Sequence, residues 1–224
     1  MNYHELNKEK LLTEIDNKSK AIINMGKQLS AISDKVDLFD WIIIAALNRT
    51  VNINKAYTTL IRDNNFIAAA PLVRINIDTL LRLYASIISE YDRNTFASKV
   101  IGGELIKKMK LRGTKKPLTD KTLHEELSKV EDMEWVSQIY EAGSSFVHFD
   151  KTHFISSRFV SDDDSTLMYM AIGFDDAFVP EDQKLGSAVW MNKIVDSIIQ
   201  QAQVWMYEKA QKVGFDIEKL NNIN

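Results

Sequence analysis

The chain has no cysteine, which excludes disulfides, thiolate nucleophiles and cysteine-ligated metals together. It has only three prolines and eight glycines in 224 residues, too few breaks for a succession of short strands and tight turns, but suited to long helices. It has no strong charge excess. A formal net charge of −3 leaves any polyanion site to a local patch rather than to a global basic field. No long apolar run is present either. The most apolar stretch, WIIIAAL at 41–47, falls well short of the roughly 20 residues that a bilayer requires. The first residues, MNYHELNKEKLLTEID, carry acids early and no apolar centre, unlike a secretory signal. These absences lead us to expect a soluble cytoplasmic protein with no membrane segment and a single domain over 1–224.

Helical periodicity accounts for most of what is there. Ile15, Ile22, Leu29 and Val36 lie seven apart with Leu12, Met25 and Ile32 between them, so the spacing predicts an amphipathic helix over about 5–36. Such a stripe offers a surface for a partner helix or for a second copy of the chain. A bundle core follows over about 37–150. Its helices start near Asp37 and Phe66, a fourth runs over 92–112, a short one over 122–130 and another over 133–148. Pro71 falls near a helix start, and Thr119 and Thr122 are candidate N-caps. HFISSRFV and TLMYMAIGF flank SDDDS, the pattern of a β-hairpin over about 153–174. One long helix closes the chain over about 182–213, with Gly214 as its stop. The expected fold class is all-α, a helical bundle with one short β-hairpin insert. The four tryptophans fall in apolar helical stretches and read as core.

Two helical stripes carry chemistry. In VRINIDTLLRLY, Arg74, Asp78 and Arg82 sit at i, i+4 and i+8 of an otherwise apolar helix, so they project from one face. Asp78 can pair well with only one of the two arginines. The residual charge suits a phosphate or carboxylate, which a guanidinium fork binds through paired hydrogen bonds. A purely structural ion-pair network is the competing reading. In YEAGSSFVHFDKTHF, Tyr140, Ser144 and His148 repeat the same spacing, with Ser145 on the adjoining edge and His153 beyond. An imidazole near neutrality is the commonest general acid or base, and hydroxyls orient substrate oxygens. Neither serine has a nucleophile-elbow glycine pattern. His148, Asp150 and His153 hold ligand chemistry, but they straddle a helix end rather than sharing a face, so no metal site and no cofactor is assigned. Asp162, Asp163, Asp164, Asp175 and Asp176 read as a solvated hairpin tip. Eight basic residues between Lys99 and Lys121 form a local positive stretch without interleaved aromatics, which fits backbone contact with nucleic acid better than base stacking.

The segments PLVRINIDTLLRLYA and IYEAGSSFVHFD together resemble helical bacterial proteins of the HEPN-like type. In these an apolar helix carries an arginine with an acid one turn on, and a later helix ends in a tyrosine, a serine and a Val-His pair. The resemblance covers about residues 66–153. It implies a helical bundle and a link to RNA cleavage, nucleotidyl chemistry or phage and toxin defence. Ribonucleases of that group place an arginine four to six intervening residues before the histidine. Gly143, Ala142 and Glu141 stand there in this chain, so Arg74 or Arg82 would have to supply the guanidinium through space. The expected site is then His148, Arg74 and Arg82 acting on an RNA or nucleotide phosphate without metal, with Asp78, Tyr140, Ser144, Ser145 and His153 contacting the ligand. The alternative is a non-catalytic interaction or oligomerisation module, in which these groups satisfy one another and the N-terminal stripe does the binding.

Overall fold

Asn7 begins the first helix by accepting the Lys10 N–H at 2.9 Å, and α1 then runs over Lys8–Ala31. In this computed structural model the described residues are 7–148, 153–154, 157–160, 168–170, 172–173, 176 and 178–222. Helix α2 (Leu38–Arg62) starts at a capping box built from Asp37 and Asp40, and α3 (Phe66–Ile88) follows a three-residue turn. Next come α4 (Arg93–Ile101), a 3₁₀ turn (Ile106–Lys108), α5 (Asp120–Leu127) and α6 (Trp135–Val147). Strands β1 (Arg158–Val160) and β2 (Met168–Met170) pair antiparallel with Phe159 opposite Tyr169. Helix α7 (Glu181–Val213) stops at Gly214, whose φ of 69° is a left-handed conformation that favours glycine. A final 3₁₀ segment spans Ile217–Asn222. The fold is therefore an all-α bundle with one small β insert.

Helix α3 is the hub, packing against α2, α4, α5, α6 and α7. Val73, Ile77, Leu80, Leu81 and Leu83 on it are buried, and one contiguous core joins α1 to α7. That leaves the Arg74–Asp78–Arg82 stripe as the polar face of an otherwise enclosed helix. A second anchor fixes where α3 begins. Asp176 accepts the Phe66 N–H at 2.8 Å and pairs with Lys184 at 2.8 Å.

Several sequence expectations need correction. The α1 stripe from Leu12 to Ile32 is buried against α2 and α7 of the same chain, so it is not a free docking face. Val36 lies past the helix end and is exposed. The fourth helix is nine residues long rather than running to 112, because it ends at Gly102, and Leu105 is exposed. Thr119 alone caps α5, accepting the Thr122 N–H at 3.2 Å. Pro71 sits inside α3, beyond the first turn where a missing N–H is free. Asp176 is buried and paired rather than solvated, whereas 161–167 and Asp175 lie outside the described residues. Trp205 is core, Trp135 and Trp190 are partly buried, and Trp41 is exposed. His153 and Phe154 are helical, not extended. Among the described residues, no helix is long and apolar enough to cross a membrane.

Candidate functional site: a charged cleft between α3 and α6

Helices α3 and α6 approach each other closely at one point, where Gly143 faces Arg74. A Cβ at 143 would stand 3.1 Å from the Arg74 Cβ and 3.4 Å from its Cδ, closer than two packed carbons tolerate without one of them yielding. The glycine lets the Arg74 stem cross α6 directly. The space beside position 143 is filled by an arginine from the opposite helix.

Beyond that crossing the helices diverge around a cleft of about 420 Å³ lined by Arg49, Arg74, Asp78, Asp120, Tyr140, Ser144 and His148, with Ile75 and Val147 as its apolar wall. The two stripes therefore meet. Arg74 stacks over the Tyr140 ring, its guanidinium carbon 3.9 Å from the ring centroid, a cation–π contact that also fixes the plane of the fork. Tyr140 stacks in turn on His124, with centroids 4.4 Å apart and an interplanar angle of 22°. Below them, His124 Nδ1 lies 2.9 Å from the Ser137 hydroxyl. The result is a three-tier stack of guanidinium, phenol and imidazole.

The ionic contacts are uneven. Arg82 is held closely by Asp120 and pairs with Asp78 at 2.9 Å. Arg74, with a side chain only 16% exposed, reaches Asp120 at 3.7 Å, beyond hydrogen-bond distance. Arg49, half exposed on α2, reaches Asp78 at 3.9 Å. The Tyr140 hydroxyl donates to Asp120 at 3.4 Å. Among the described residues three guanidiniums thus share two carboxylates, and the tightly held one is Arg82. The surplus positive charge is concentrated at Arg74 and Arg49, on the cleft side.

Protonation follows from burial. Burial pushes the Tyr140 phenol above its ordinary pKa despite the lowering influence of Arg74, so the hydroxyl stays a donor through neutral pH. Burial pushes His124 below its ordinary value, partly opposed by Glu125, Glu141 and Asp120, so the imidazole under Tyr140 stays neutral at pH 7. His148 is the exposed C-cap residue of α6, its N–H bonded to the Ser144 carbonyl at 3.1 Å, and it stands on the cleft wall. Ser144 donates to the Tyr140 carbonyl at 2.9 Å, which leaves its oxygen lone pairs for a ligand donor.

Of the eight residues expected at the site, Arg74, Asp78, Tyr140, Ser144 and His148 line the cleft. Arg82 stands behind the two carboxylates as their counter-ion, which corrects its expected role as a second ligand-binding arginine. Ser145 turns away and donates to the Ala142 carbonyl at 3.0 Å. His153 does not line the cleft, and His4 and Asp150 lie outside the described residues. Sequence reasoning missed Asp120, Arg49 and His124. Asp120 carried only the signal of an acid in the first turn after Thr119, and Arg49 that of a lone cation following the seven-residue apolar stretch at 41–47. Among the described residues no group of three metal-ligating side chains is assembled.

Comparison with family models, with characterised proteins and with solved structures finds nothing that matches this chain.

Proposed function

We propose that the α3–α6 cleft binds the phosphate of an RNA or nucleotide ligand, with Arg74 as the anion-binding guanidinium and His148 beside the bound phosphate. The observation that carries the reading is Arg74 itself: a largely enclosed cation, clamped flat on Tyr140, whose carboxylate partner is 3.7 Å away and already engaged by Arg82. An enclosed guanidinium whose carboxylate contact is long and shared, among the described residues, gains from an anion that completes it. A phosphate offers paired oxygens to that fork, and Ser144 and the Tyr140 phenol border the same space.

The reaction this constellation suits is metal-independent RNA cleavage of the kind the HEPN-like resemblance implies. The ribose 2′-oxygen attacks the adjacent phosphorus while its proton passes to the His148 imidazole. The 5′-oxygen leaves with a proton from solvent or from the imidazolium, and a 2′,3′-cyclic phosphate remains. Arg74 stabilises the charge that accumulates on the phosphorus oxygens. Asp78 and Asp120 hold Arg82 and set the local potential. The rival reading, docking through the N-terminal stripe, loses its main support because that stripe is buried within the chain.

Calorimetric titration with a 5′-phosphorylated dinucleotide and with the corresponding free nucleosides, which carry no phosphate, tests the binding. The dinucleotide is expected to bind, and Arg74→Lys to weaken it about tenfold by removing the fork. Equal binding of dinucleotide and nucleosides, or an unchanged Arg74→Lys variant, overturns the reading. RNA hydrolysis in chelator, compared between wild type and His148→Ala, tests the chemistry, and equal rates remove it.

A further inference from the structure

We infer that the ligand of this cleft is a phosphodiester strand several nucleotides long, which leaves the cleft past Arg82 and continues over the basic ridge at residues 106–116. This rests on the phosphate reading of the cleft and extends it to a substrate class, single-stranded nucleic acid.

Arg82 stands between the cleft and the ridge, and, among the described residues, the one carboxylate in the groove beyond it, Glu104, is paired with Lys99. Arg82 binds Asp120 and Asp78, both on the cleft wall, and also lines a neighbouring groove of about 500 Å³ together with Leu105, Ile106 and Lys107. Arg74 and Arg82 are eight residues apart on one helix, about 12 Å along its axis. A single nucleotide would be accommodated in the first cleft and would leave the second groove unused.

The ridge supplies charge that internal pairing does not consume. Of the eight basic residues over 99–121, Lys99 pairs with Glu104 at 2.8 Å, Lys116 with Glu126 at 3.2 Å, and Lys121 reaches Glu125 at 3.8 Å. Arg112 spends its guanidinium on the carbonyls of Ser89 and Ile87. Lys107, Lys108, Lys110 and Lys115 are exposed and make no ion pair among the described residues. In a protein of net charge −3, four uncompensated lysines on one loop form a local attractor for a polyanion.

The loop is also built to hold its shape. The Glu90 N–H donates to the Lys110 carbonyl at 3.0 Å, Arg112 N–H to Ile88 at 2.9 Å, and Leu118 N–H to Met109 at 2.9 Å. The Met109 and Leu118 side chains are buried beneath. Lysines carried on a fixed backbone lose less freedom on binding than lysines on a mobile tail. The ridge offers no aromatic platform, and its exposed apolar groups are Ile101 and Leu105. Recognition is therefore of the backbone and indifferent to base sequence.

Fluorescence anisotropy with mixed-sequence RNA and DNA strands tests this, comparing a 5′-phosphorylated dinucleotide with strands of about 12 nucleotides at low and moderate salt. The longer strand is expected to bind at least about tenfold more tightly, with a steep salt dependence. In Lys107→Ala/Lys108→Ala that length advantage is expected to collapse, and the log–log salt slope to become shallower by about 1.4. Both lysines are exposed, and circular dichroism confirms that the variant is folded. Tighter RNA than DNA binding assigns the ribose a contact, and equal binding assigns the backbone alone; either supports the strand. A dinucleotide that binds through Arg74 with no gain from length, or a double variant that keeps the gain, overturns the strand and leaves the cleft reading standing. No binding at any length overturns both.

Discussion

Lys209 and Arg74 are each a cation sharing one carboxylate with an aromatic donor, and they differ in what surrounds them. Lys209 on α7 is 2% exposed and donates to Asp40 at 2.5 Å and to the Lys35 carbonyl at 3.1 Å, while Trp205 donates to the other Asp40 oxygen at 2.8 Å. One cation meets one anion, and the carboxylate is saturated. Arg74 shares Asp120 with Tyr140 at longer distances and in competition with Arg82. Among the described residues three cations there meet two anions beside an open cleft. Similar chemistry is deeply buried and balanced in one place, at the floor of a largely apolar cavity, and serves packing; in the other it is more exposed and unbalanced, which is where the proposed anion site differs from a structural pair. A second sealed pair, Asp176–Lys184 at 2.8 Å, follows the first pattern and ties α7 to the start of α3.

The largest expected effect tests that contrast directly. Lys209→Ala strands the Asp40 carboxylate in the core and is expected to cost about 3–5 kcal/mol, the range for breaking a buried pair from one side. Arg74→Ala is expected to cost no more than about 1 kcal/mol, since its ion pair is long and its stacking contribution modest. Urea denaturation of both variants measures the difference. Equal losses would make the cleft network structural and dissolve the distinction.

The same contrast explains what could be read from the sequence. Periodicity, with a capping signal for the short α5, located each of the seven helices described above, because apolar spacing records burial directly. It overran at the end of α1 and across α4, where Val36 and Leu105 satisfy a seven- or four-residue spacing yet stand in solvent. The stripes Arg74–Asp78–Arg82 and Tyr140–Ser144–His148 were legible because each lies on one helix, where spacing fixes direction. Their meeting was not, since it depends on Gly143 admitting the Arg74 stem. Asp120, which decides how the arginines divide their charge, arrives from a third helix 38 residues after Arg82, and no local pattern marks it. Asp176 was misread for the converse reason: placed among other acids it looked like loop surface, but its partners Phe66 and Lys184 bury it.

A medium-sized effect concerns the base of the stack. His124 is 7% exposed, and burial holds its pKa below the unfolded value. Between the folded and unfolded values the unfolded chain binds more protons, so stability rises with pH. The contribution is complete above the unfolded pKa of about 6.5 and is lost as pH falls through the folded value. Tm is therefore expected to fall from pH 7 to pH 5, and His124→Gln to flatten part of that fall. The raised Tyr140 pKa adds nothing across this range, because the phenol is protonated in both states. An identical pH profile in the variant would place the acid sensitivity elsewhere.

The smallest effect draws the edge of the cleft. Ser144 and Ser145 are neighbours on α6, both bonded back to their own helix, at 2.9 Å to Tyr140 and 3.0 Å to Ala142. Only Ser144 lines the cleft. Replacing either by alanine is expected to change stability by less than about 0.5 kcal/mol, as an exposed or partly exposed hydroxyl on a helix usually does. Their binding should separate. Ser144→Ala is expected to weaken the phosphorylated dinucleotide about fivefold, the worth of one hydrogen bond near 1 kcal/mol accepted from a ribose hydroxyl, whereas Ser145→Ala should leave its affinity unchanged. If Ser145→Ala weakened binding as much, α6 would present a different face to the ligand, and Arg74 would no longer be the cation nearest to it.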